Sequence, residues 1–137
     1  MKQITKLIGL ALLVVTLTTA CKKKDKEPEG PSVKELLTDT PWEFYMWESY
    51  SSGTLTSSGM GAHTYEFRTD NTLKITTTTS TSNLNYELTE GDDVKIRVYN
   101  SSNTIDITYL ILKLDEYDMV WQSVGSGSNY TKLYFNK

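Results

Sequence analysis

The chain has 137 residues, 14 of them basic and 17 acidic, and 38% are apolar. That length holds one domain; it excludes a multidomain enzyme and leaves little room for a nucleotide-binding sheet with its helices. A formal net charge of −3 makes no electrostatic case for nucleic acid, which requires a basic face.

The charge is unevenly spread. Residues 1–20 contain no acid. Lys2 and Lys6 form a basic start, Leu7 to Val15 is an apolar run broken only by Gly9, and Thr16 to Ala20 follow. That order reads as a secretory signal peptide. The uncharged stretch from Leu7 to Ala20 falls short of the roughly 20 residues that a spanning helix needs.

Cys21, the single cysteine, stands at the end of this segment. A lone thiol in an exported protein has no intramolecular disulfide partner, so it is buried, paired between chains, or modified. Residues 22–31 contain no apolar side chain except prolines and read as a flexible tether. The organisation expected is therefore a signal peptide over 1–20, a modified cysteine and tether over 21–31, and a folded domain over 32–137.

Leu17-Thr18-Thr19-Ala20-Cys21 resembles the lipobox of bacterial lipoproteins, in the relaxed form of the Bacteroidota, with Thr18 where Leu is usual. The resemblance implies cleavage after Ala20 and lipidation of Cys21, with acyl chains such as palmitate as the membrane anchor. Two or three chains anchor far better than one. Lys22, where an Asp would mark inner-membrane retention, implies the outer membrane, on its periplasmic face or at the cell surface.

The domain holds 8 basic and 14 acidic side chains, a net charge of −6. Its 29 Ser or Thr, nine Tyr, three Trp and three Phe favour strands, because β-branched and aromatic side chains suit a half-buried pleated surface. One short helix is expected first: Ser32 caps Val33 to Leu37, and Glu35 completes a capping box. The first strand runs from Trp42 to Tyr50. Ser51-Ser52-Gly53 and Ser57-Ser58-Gly59 read as a loose loop. His63, Tyr65 and Phe67 share a face of the second strand; Leu73 and Ile75 lead the third; Leu84, Tyr86 and Leu88 share a face of the fourth. Val94, Ile96 and Val98 alternate in the fifth. In the sixth, Ile105, Ile107, Tyr109 and Ile111 point one way and Leu110, Leu112 and Leu114 the other, which implies a bulge or burial on both faces. Tyr117, Met119 and Trp121 form the seventh strand, and Tyr130 to Asn136 the eighth.

Eight strands on short connections make an antiparallel meander, and closing it into an up-and-down barrel removes its open edges. A β-sandwich fits the same pattern. A barrel of eight strands has room for packed side chains or one small ligand.

Leu36-Leu37-Thr38-Asp39-Thr40-Pro41-Trp42-Glu43-Phe44, Tyr65 to Leu73, Leu114 to Trp121 and Leu133-Tyr134-Phe135 together resemble the lipocalin-like domains of Bacteroidota lipoproteins over about residues 33–137. The resemblance implies that barrel and little chemistry.

The chemical motifs searched for do not assemble. His63 is the only histidine, so a metal centre lacks ligands and no Cys–His pair forms. The carboxylates Asp92-Asp93 and Asp115-Glu116-Asp118 fall in turns, where Asp serves local hydrogen bonding. No catalytic residue, cofactor site or metal site is expected, and the chain reads as a non-enzyme.

Two functions remain. In the first, a monomeric lipid-anchored barrel binds or carries a small apolar ligand, lined by Trp42, Phe44, Tyr65, Phe67, Tyr86 and Trp121. In the second, the barrel is filled solid. Its loops, or Tyr45 and Trp47, which strict alternation puts together on the opposite face from Trp42, Phe44 and Met46, then dock an envelope protein or glycan.

Overall fold

A computed structural model describes residues 30–125 and 127–137. The segments read from sequence as a signal peptide and a tether, with Cys21 between them, lie outside the described residues up to residue 29. The chain separates into units Met1–Gly30 and Pro31–Lys137, and the fold belongs to the second.

One helix precedes eight strands: α1 (Val33–Thr38), β1 (Trp42–Ser51), β2 (Thr54–Phe67), β3 (Thr72–Thr76), β4 (Thr81–Thr89), β5 (Lys95–Tyr99), β6 (Ile105–Leu114), β7 (Asp118–Ser123) and β8 (Tyr130–Asn136). Each strand pairs antiparallel with the next, and β8 pairs with β1, so the meander closes into a barrel. The sandwich alternative is excluded, and the lipocalin-like barrel stands.

The cap of α1 forms as the sequence implies. The Glu35 amide donates to the Ser32 hydroxyl at 3.2 Å, and the Ser32 amide donates to the Glu35 carboxylate at 2.7 Å. Six residues are too few to hold a helix alone, so packing must hold it. Leu37 is fully buried and lies against the barrel end where β1 starts. The Trp42 indole donates to the Leu37 carbonyl at 3.2 Å. Lys137 fastens the arrangement from the other end of the domain. Its ammonium donates to the Leu36 carbonyl at 3.1 Å and stands 4.5 Å from the Trp42 ring centre.

The core is graded along the barrel axis. Trp42 opens β1, Phe67 closes β2, and Leu73, Met119 and Phe135 sit one residue from a strand end, all at the end that α1 covers. Those five are buried. Toward the far end the inward residues Trp47, Ile75, Ile107 and Leu133 are only half-buried.

Three details differ from simple alternation. The stretch read as a loose loop is mostly strand. The turn is just Ser52-Gly53, with φ of 51° and 78°, and β2 begins at Thr54. Two residues at positive φ give the two-residue hairpin turn whose twist matches the strands. Next, the register of β1 shifts between Phe44 and Met46 against both neighbours. Against β8 the extra residue is Tyr45, whereas against β2 the extra residue lies on β2; the shift resets the alternation of β1, so Trp47 returns to the inside and pairs with Leu133 and Gly59. Third, the conflict in β6 resolves as a bulge: the register shifts between Ile111 and Lys113, and Leu112 is pushed out to 46% exposure.

Candidate functional site

The six residues proposed to line a pocket do come together inside the barrel. They meet as packing partners. Phe44 lies 6.2 Å from Tyr65, Phe67 lies 5.1 Å from Tyr86, and the Trp121 ring centre lies 6.0 Å from Tyr65 and 5.6 Å from Phe67. Phe135 and Tyr109 close the set, 4.8 and 4.9 Å from Trp121. Most of these contacts are tilted or edge-to-face, the arrangement aromatic quadrupoles favour. Trp42, Phe44, Phe67, Tyr86 and Trp121 are all buried.

Four cavities among the described residues, of about 500, 470, 280 and 200 Å³, open to solvent. Of the six aromatic residues, only Phe67 touches any of them, in a groove between the end of α1 and the β2–β3 turn.

One polar feature interrupts the aromatic interior. The Trp121 indole N–H is buried and has no acceptor among the described residues. Tyr65 and Tyr109 flank that ring. Burial pushes the Tyr65 phenol up; the same effect, with the charges of Tyr65 and Asp106, takes Tyr109 to about 12. Both phenols therefore stay neutral donors across the physiological range.

Tyr45 and Trp47 do not share a surface. Trp47 packs against the core, and Tyr45 stays outside with its ring 6.4 Å from Tyr134. The bulge at Tyr45 separates them. Sequence spacing could not reveal it, because the residues around Tyr45 are all large and show no conflict of faces.

The outer face instead gathers residues that sequence reasoning passed over. On β1, Met46, Glu48 and Tyr50 point outward; on β8, Tyr134, Lys132 and Tyr130 stand directly opposite them in register. Tyr50 and Tyr130 stack at 4.8 Å and 17°. The Lys132 ammonium lies 5.3 Å from the Tyr50 ring centre and 5.9 Å from that of Tyr130. Both Tyr50 and Tyr134 donate to Oε2 of Glu48. Those two phenols hold the Glu48 carboxyl below the usual carboxylate range, Tyr134 more than Tyr50. The alternation of Tyr130, Lys132 and Tyr134 was the available signal, but both faces of β8 are rich in large side chains and composition alone does not say which is outside.

Comparison with protein-family models, with curated proteins and with solved structures finds no match.

Proposed function

We propose that this is a non-enzymatic, lipid-anchored lipoprotein of the outer membrane, whose filled barrel serves as a rigid mount for recognition on its outer surface. Cys21 is the anchor and the membrane its first partner. The observation that carries the reading is the ring network around Trp121, which occupies the space where a carried molecule would sit. A core packed at crystal-like density has no vacancy for a ligand. The acidic domain supports a partner that is not nucleic acid.

A second reading keeps the carrier. It is favoured by the unpartnered Trp121 N–H and by the half-buried apolar residues toward the far end. An apolar molecule bearing one acceptor would satisfy that N–H, whose isolation costs about 1–3 kcal/mol.

Intact native mass spectrometry of the full chain, extracted from its own membrane, tests both. The expected species begins at Cys21, carries acyl mass, and holds no further small molecule. An unacylated chain defeats the anchor; a bound small molecule transfers the function to the carrier.

A further inference from the structure

We propose that the outer face of β1 and β8 is a binding platform for a neutral glycan. This rests on the reading of the barrel as a mount for outward recognition and names the partner class.

The platform is a grid of two strands by three residues. Tyr130 faces Tyr50, Lys132 faces Glu48, and Tyr134 faces Met46. Tyr45 adjoins Tyr134 at the bulge. From Tyr130 to Tyr134 the strand rises about 14 Å at roughly 3.4 Å per residue, room for more than one sugar ring. All seven side chains are half-exposed.

A sugar ring has an apolar C–H face and a rim of hydroxyls, so it needs an aromatic surface beside fixed hydrogen-bonding groups. The rings supply the first, since the negative face of a π-system attracts C–H groups. Glu48 and Lys132 supply the second. Oε2 of Glu48 is engaged by two phenols, which fixes the carboxylate; Oε1 accepts from no described residue. Lys132 forms no ion pair among the described residues, and its ammonium rests over the two stacked rings with donors to spare. One acceptor and one donor, both charged and both held in place, stand between aromatic surfaces. Charge-assisted hydrogen bonds of this kind are the stronger ones.

The balance of charge selects the occupant. A polyanion meets Glu48 and a polycation meets Lys132, whereas a neutral chain of hydroxyls uses both. A protein partner favours apolar anchors seated in a dry pocket with the charges at the rim. Here the charged pair occupies the centre and the rings lie outside it.

The test is affinity electrophoresis of the full chain in mild detergent, through gels containing a neutral glucan, mannan, xylan or galactan, with a polyanionic polysaccharide as the control. Retardation by at least one neutral polymer is expected. Glu48→Gln keeps an acceptor for the phenols and loses the charge; Tyr130→Ala removes a ring. Each should weaken retardation by about tenfold, as the loss of a central contact does, with the melting transition of the Glu48→Gln protein unchanged. No retardation by any of the four neutral polymers overturns the proposal, as does retardation of both variants equal to that of the wild type or retardation by the polyanion alone. Should these substitutions instead abolish a cross-link to a protein, the glycan is wrong while outward recognition stands. A small molecule inside the barrel would defeat the underlying reading without touching this face.

Discussion

At position 61 a methyl group has nowhere to go. A Cβ built there lies 2.0 Å from Cε1 of Phe44, and one at Gly59 lies 2.6 Å from Nε1 of Trp47. The Phe44 ring cannot swing aside, because His63, Tyr65 and Phe135 surround it. Gly61→Ala should therefore cost about 1–3 kcal/mol through overpacking, read as a lower urea midpoint at unchanged slope. Asp115 shows a different residue-scale effect. The amides of Tyr117 and Asp118 donate to its carboxylate at 2.9 and 2.8 Å, and Lys113 lies 3.1 Å away. Those amides, with the lysine, bring it to about 2. The folded state thus releases this proton at lower pH than the unfolded chain. The contribution is present above about pH 4 and fades as pH falls toward 2. Thermal melts should show Asp115→Ala below the wild type at pH 7 and converging with it at pH 2.

At the scale of elements, α1 is a plug. Its six residues bury Leu37 against the barrel end, and the pieces that hold it come from both ends of the domain: Trp42 and Lys137. Leu37→Ala should cost about 2–5 kcal/mol, the range for deleting a buried leucine, and calorimetry would measure it. Trp42 emission should shift to the red as the plug loosens. The plug and most strands were legible in the residues. The capping box marked α1, and period-two alternation marked β4 and β5. Asn71 takes a φ of 67° in the β2–β3 turn, a conformation asparagine tolerates. The start of β2 was not legible. Ser57, Ser58 and Gly59 have loop composition, yet they pair with β1. Inward positions 59 and 61 are glycines, which give no alternation to detect, and the reason for them is on the neighbouring strand. The two bulges separate the same way. Leu110 to Leu114 announced one through a conflict of faces, while Tyr45 was silent because every residue around it is large.

For the whole molecule, closure and graded burial set how the barrel opens. Fully buried side chains lie toward the end under α1, and the far end is only half-covered. Hydrogen exchange should divide accordingly. Amides of Met119 to Trp121 and of Ile96 to Val98 should exchange only on global unfolding, whereas those of Thr54 to Ser58 should exchange through local opening. Uniform protection around the barrel would contradict the gradient. The candidate site was less legible than the fold at this scale. The inner aromatics follow from alternation, so the sequence identified the residues that meet inside. Whether they enclose a space or fill it depends on rotamers and register, which spacing does not encode. The outer grid needed the closing pair of β8 with β1, a contact between residues some 85 positions apart.

The two rings folded over two glycines also have a consequence for descent. Phe44 and Gly61 occupy one volume from opposite strands, as do Trp47 and Gly59. Neither partner is free to change first toward a larger residue. A side chain at 61 becomes acceptable only after 44 has shrunk, and an aromatic at 44 persists only while 61 stays bare. Any sequence that shares this barrel should show the two positions changing together, with the small residue sometimes exchanged from one strand to the other.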